Sequence, residues 1–511
     1  NQAGTAGTVA NTGIGSFSLG SITTGTHNIG LGSNTLYTAT TALRNVAIGF
    51  NAMTDTKAAT AVADCVAIGY EALKGNSSTT STNVNGTVAI GKDALKLCVT
   101  GTQNTAIGFQ AADGLTTGGY NTFVGYQVAD GGTITGDENT AVGVTALQAL
   151  TDGGQNTALG VRAGLVMATG DKNVFIGKDA ADSATACSSV IAIGHDAMHT
   201  ASTSTDIDGT VAIGESALAS LTSGIGNVAV GYQALDATDD GNYNTAVGYQ
   251  SLSANCGNEN TAIGYQALLV NTAGDNTAVG AYALKDMVEG FDNVAIGMNA
   301  LGGDLDTTAD GSEGNIAIGK AAMGGNWVTA VSNHNIAIGH SSMDAAMNGA
   351  LYNVAVGYNT LTSLTTGDHN TTIGTGSGAA ILDGTANTVL GSGALDLLTS
   401  GNHNIAIGMD AANTMDAGES HNYAIGSDSM GAMDEGASGT IDYNIAIGYT
   451  ALSGGAMSST NSVSGCIAIG HFSLNSTGTN GHTGTIAIGY NALTACTSGS
   501  ANTAVGYGSM D

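Results

Sequence analysis

The sequence predicts an all-β parallel β-solenoid. Three observations carry the prediction: a short phrase recurs along the whole chain, the phrase alternates with strand period, and only short polar connectors separate its copies. The phrase is typified by Asn260-Thr261-Ala262-Ile263-Gly264-Tyr265-Gln266-Ala267-Leu268 and returns 28 times. Counted on its glycine, from Gly15 to Gly506, 14 of the 27 intervals are 17 residues and all lie between 16 and 22. A unit this small cannot bury a core alone, so its copies must stack, one rung each, in a single continuous repeat domain over 1–511. At ~4.8 Å per rung, the stack is expected to be an elongated rod on the order of 130 Å long.

The phrase begins with Asn in 22 copies, four residues before the glycine. Stacked asparagines such as Asn227, Asn244, Asn260, Asn276 and Asn293 can act as an amide ladder or as separate turn formers. The strand follows. The residue three before the glycine is mostly Val, Ile or Thr, 22 copies have Ala two before it, and all 28 have Ile, Val or Leu immediately before it. The branched residues are expected to fill the interior, with Ile48, Ile107, Val247, Ile263, Ile318, Ile407 and Ile488 as core. The alanines are then expected on the outside, as a flat strip on which another sheet can lie, interrupted by Phe123, Phe175, Thr372 and Val389.

Gly49, Gly108, Gly248, Gly264, Gly319, Gly408 and Gly489 are expected to turn the chain without a Cβ penalty. Leu or Met, four residues after the glycine in 22 copies, closes the interior on the return leg. Connectors such as Thr365-Thr366-Gly367-Asp368 have tight-turn chemistry. A helical solenoid is excluded, because a 17-residue unit with a Gly, an Asn and several Thr or Ser leaves no room for a helix of ten residues.

The six copies without Asn carry Cys65, Thr87, Val190, Thr210, Cys466 and Thr485 there, in regions where intervals lengthen to 20 or 22 residues. Gly69, Gly194, Gly319 and Gly448 stand 125, 125 and 129 residues apart, which suggests seven-rung blocks of about 125 residues whose enlarged loops mark a contacting face.

With 10 Lys plus Arg against 40 Asp plus Glu, the formal charge of −30 disfavours nucleic acid and anionic membrane as partners. No apolar run is long enough for a membrane helix, so no membrane insertion is expected. Cys65 and Cys98 occupy the same rung positions as Cys466 and Cys496, so each pair is either a local disulfide or two small apolar fillers. No CxxC, calcium-binding nonapeptide or nucleophile–base pair is found, and the histidines occupy variable positions; neither catalysis nor a cofactor is expected. Tyr follows the glycine in nine rungs. Tyr232, Tyr249 and Tyr265 can form a sugar-stacking stripe or simply cover a sheet edge.

In forms such as Asn45-Val46-Ala47-Ile48-Gly49 and Asn315-Ile316-Ala317-Ile318-Gly319, the phrase resembles the NSVAIG repeat of YadA-type trimeric autotransporter adhesin heads. It is also similar to the NTAVGYQAL arrays of marine phage tail-fibre-like proteins, over nearly the whole chain. The adhesin resemblance implies a left-handed parallel β-roll, three chains side by side, and binding to extracellular matrix or host surfaces. In it Ile48 and Ile318 fill the roll and Gly49 and Gly319 turn it. The expected function is therefore a structural, non-catalytic extracellular fibre component of a cell surface or virion: a tail fibre, adhesin shaft or self-assembling filament, as a homo-oligomer. The alternatives are a module that binds glycan or a host receptor and an ice-binding solenoid, which needs regular outward threonine ladders.

Overall fold

A computed structural model describes residues 10–56, 62–76, 83–200, 207–303, 311–327, 330–433, 439–454, 461–478 and 481–511. Every helix or strand assigned among them is a strand. Contacts divide the chain into two compact units, Asn1–Asn255 and Cys256–Asp511. The first holds fourteen three-residue strands, from Thr12–Ile14 to Thr245–Val247. The second holds fourteen more, from Thr261–Ile263 to Thr503–Val505, with four two-residue strands between Ile441–Asp442 and Gly499–Ser500 that form a second small sheet.

Within each unit, successive strands pair in parallel and in register, making a parallel β-solenoid. Thr261, Ala262 and Ile263 face Thr277, Ala278 and Val279 across a 16-residue interval, and Val66, Ala67 and Ile68 face Val88, Ala89 and Ile90 across one of 22. Register survives insertion because the extra residues enter the connectors. Much of the enlarged loops, including 57–61, 77–82, 201–206, 304–310, 434–438 and 455–460, lies outside the described residues. Their trace inside is described. Each interval of 20 or 22 residues carries a buried side chain three positions before the Asn position: Val62, Val84, Ile207, Ser312, Ser332, Ile441 and Val463. Most 17-residue rungs have glycine there. A Cβ on Gly101 or Gly367 would lie 2.2 Å from the next rung's carbonyl oxygen.

The alternation has the opposite phase from that expected. Ala262 in the strand, and Ala267 and Leu268 in the return leg, are fully buried, whereas Ile263 is 40% exposed. Ile107 and Val247 are exposed as well, and Ile48, Ile318, Ile407 and Ile488 are half-buried on the outer side. The reason is volume. The interior between strand and return leg is filled by one Leu or Met column, which leaves room for a methyl group opposite it and no more. The branched residues face outward, where their strand propensity is served without crowding.

The exceptions follow the same rule. Phe123 and Phe175 are fully buried in the alanine column, and the neighbouring Leu positions shrink to Ala112 and Ala129 around one and to Gly164 and Ala181 around the other. A Cβ on Gly164 would lie 2.7 Å from Cδ2 of Phe175. The alanine strip is therefore core rather than a lateral contact surface.

The turn glycines behave as expected, with φ from +126° at Gly49 to +143° at Gly108. A Cβ at Gly264 would lie 2.5 Å from the Gly280 oxygen, so both conformation and space demand glycine. Unforeseen is the left-handed conformation of non-glycine residues. In this rung Glu259, Gln266 and Leu268 have φ of +61°, +52° and +51°. Each costs on the order of 1 kcal/mol. The rung ladder offsets the cost by continuing past the strand: Gly280 N–H donates to Ile263 O at 2.8 Å, Tyr282 N–H to Tyr265 O at 2.9 Å, and Leu284 N–H to Ala300 O at 3.0 Å.

Volume exchange between the two interior columns is testable in a double-mutant cycle. Phe175→Ala is expected to cost about 3–5 kcal/mol, and Gly164→Leu to overpack. The double variant should unfold at higher denaturant than either single variant; additive losses would contradict the assignment.

Candidate functional site

The asparagines form ladders within each unit, broken where the Asn position holds another residue. In the second, one runs from Asn260 through Asn276, Asn293, Asn315, Asn335, Asn353, Asn370, Asn387, Asn404 and Asn422 to Asn444. The Asn276 Oδ1 accepts the backbone N–H of Asn293 at 3.0 Å and its Nδ2–H at 3.3 Å, while its own Nδ2–H donates to the Gly290 carbonyl at 2.7 Å. In the first unit Asn227 likewise accepts the Asn244 N–H at 2.9 Å. Of the two readings left open, the ladder is the one observed, and Asn227, Asn244 and every member from Asn260 to Asn444 are buried.

The residues that replace asparagine end or patch this ladder. Asn45 Oδ1 accepts the Cys65 N–H at 2.9 Å, and the Cys65 thiol donates to the Val84 carbonyl at 3.0 Å, in place of the missing amide. Cys466 repeats the arrangement with the His482 carbonyl at 3.5 Å. All six cysteines are free thiols, so the pairs Cys65–Cys98 and Cys466–Cys496 are not bridged. Burial pushes the Cys65 thiol up to about 11 and Cys98 up to about 12, which suits fillers rather than nucleophiles.

Three columns cover the outside. The residues on either side of the central strand position, such as Thr261 and Ile263, form an aliphatic and threonine face, none of whose residues is charged. The threonines point outward, not inward as expected; their longest run in one unit spans the four rungs of Thr105, Thr122, Thr140 and Thr157.

The second column follows the glycine. Tyr232 stacks on Tyr249 with ring centroids 5.1 Å apart, Phe50 on Tyr70 at 5.5 Å, and Tyr490 on Tyr507 at 5.3 Å. Tyr265 meets Tyr282 edge to face. In a stacked pair each ring presents a face to its neighbour and an edge to solvent.

In a third column, His334, His369, His403 and His421, which read as surface variation in the sequence, stack with tyrosines or with each other. Residues just before the Asn position stack as His334–Tyr352–His369 and as His403–His421–Tyr443, at 4.9 to 5.2 Å. Its signal in the sequence was the recurrence of His and Tyr at that one position.

Charge is gathered locally. Burial opposes ionisation of Glu71, but hydrogen bonds from Lys96, Lys74 and Asn51 outweigh it and hold its pKa at about 2. Asp179, His195 and Asp196 bring metal-ligand atoms within 4.8 Å of one another. Asp179 is, however, already paired with Arg162 and Lys178, two cations that oppose an added metal ion.

Two outcomes are expected. Asn276→Ala strands the Asn293 N–H and removes one of the two amide donors to the Gly290 carbonyl, the other being Asn271 Nδ2, and should cost about 1–3 kcal/mol in chemical denaturation. Glu71 has a lowered folded pKa, so its contribution is present above the unfolded value near ~4.3 and is lost as the pH falls towards about 2. Glu71→Gln should therefore flatten the stability loss across that window and leave the profile from pH 6 to 8 parallel to the parent's. No family model matches the chain, and comparison with curated proteins finds no match.

Proposed function

We propose that the chain is a structural, non-catalytic component of an extracellular fibre on a cell surface or virion, and that it associates with further copies of itself through its outer strand face. The observation that carries this reading is the chemistry of that face. Across 28 rungs, the two outward positions of each strand hold Ile, Val, Leu or Thr, with Tyr423 as the one exception, and never a charged residue. The chain as a whole carries 50 charged side chains, 40 of them acidic.

Strand propensity alone does not require this. A sheet face left in water is normally studded with polar and charged residues, and parallel sheets almost always have both faces covered. The rungs repeat in register and hold no convergent nucleophile, base and oxyanion donor among the described residues, so length and surface are what the fold offers. A tail fibre, an adhesin shaft and a self-assembling filament all use these properties.

Static light scattering at micromolar concentration should give a mass that is a multiple of 50.0 kDa. Replacing the exposed Ile263, Ile296 and Ile338 by Lys should reduce the mass to one chain, with the β-sheet circular dichroism retained. A single-chain mass for the parent protein would overturn self-association through this face.

A further inference from the structure

We propose that the cavity between Glu419 and Asp442 is a binding site for a hard divalent cation of the calcium class. Glu419 stands at the interior position that Gly401 occupies one rung earlier and Ile441 one rung later. All three offer their carbonyls to the asparagine ladder in the same way. Its residue is only 2% exposed, and neither carboxylate oxygen has a hydrogen-bond partner. A buried carboxylate in that state is strongly unfavourable unless it gains a proton or a cation.

The other buried acids show how this protein settles that problem. Glu71 is paired with Lys74 and Lys96, Asp93 with Lys92 and Lys96, Asp179 with Arg162 and Lys178, and Asp182 with His199. Glu419 is the one buried acid among the described residues with no basic partner. The sequence supplies none nearby, since no Lys or Arg occurs after Lys320.

A cavity of 190 Å³ opens beside it instead, lined by Ala417, Gly418, Glu419, Gly439, Thr440 and Asp442. Asp442 brings a second carboxylate from the adjacent rung. One of its oxygens accepts the Ser420 backbone N–H at 2.8 Å, which orients the group and leaves the other oxygen for a ligand. Two carboxylates, a threonine hydroxyl and main-chain carbonyls, with no nitrogen or sulfur donor, make an all-oxygen set. Such a set with water at the remaining positions suits calcium. A bound ion would tie together the residues on either side of a 22-residue interval, where the rung ladder has most chain to close.

The test is calorimetric titration of calcium chloride into the full chain after removal of metal ions, at about 0.15 M salt to suppress diffuse binding to the acidic surface. The parent protein should show one saturable event of about one ion per chain. Glu419→Gln should abolish it and Asp442→Asn should weaken it by about tenfold or more. Glu419→Ile, which copies Ile441 of the next rung, is the fold control. Its melting temperature should be independent of calcium, while that of the parent should rise. Absence of a saturable event, or isotherms that coincide for the parent and Glu419→Gln, would overturn the site. So would a calcium-dependent melting shift that persists in Glu419→Ile.

Discussion

From Asn260 to Asn444 in the second unit, each rung hands its asparagine to the next. Oδ1 of Asn353 receives the backbone N–H of Asn370 at 2.9 Å and its Nδ2–H at 3.0 Å, and Asn370 does the same for Asn387. These amides are shut away from water, so a rung without its neighbour would leave several buried polar groups unpaired, at about 1–3 kcal/mol each. The backbone depends on neighbours in the same way, because left-handed residues such as Leu268, Tyr282 and Leu284 donate their backbone N–H groups to carbonyls of adjacent rungs. Neither a lone rung nor a rung out of register can satisfy these groups, which explains why register is kept while interval length changes.

The same stacking makes the interior thin and exacting. The alanine column faces the Leu and Met column at a distance that admits one large side chain per rung, and Phe123 and Phe175 enter only where that column has shrunk to Ala or Gly. Elsewhere in the rung, three positions before the Asn position, buried side chains such as Val62, Val84, Ile441 and Val463 take the place of glycine, and these coincide with the long intervals. The long intervals therefore differ in their buried side chains and not only in their surface loops.

The solenoid, its register, the turn glycines and the buried Leu column were legible because each is fixed by a period or by a residue with one conformational use. The asparagine ladder was half legible: Asn227 to Asn293 were named, but a turn role fitted their spacing equally well. The phase of the strand was not legible from hydrophobicity, since Ala and Ile both qualify as apolar, and the larger residue was assigned to the core. The correcting signal was present in the pairing of Phe123 with Ala112 and Ala129, and of Phe175 with Gly164 and Ala181, which only residues sharing an interior would require. Positive φ at Leu268 left no mark, because it is imposed by neighbours rather than by the residue's own preference.

Because the alanines are inside, the surface available to partners is the row of Thr, Val and Ile, flanked by stacked aromatic rings, on a chain otherwise rich in acid. All of these assignments stand on the coupling of rungs through buried asparagine amides. The most direct test is hydrogen exchange of the side-chain Nδ2–H groups in the asparagine-labelled protein, followed by nuclear magnetic resonance. The account predicts that Asn353, Asn370 and Asn387 exchange slower than an exposed asparagine by about a hundredfold or more. Exchange of these amides at the rate of exposed asparagine would contradict it.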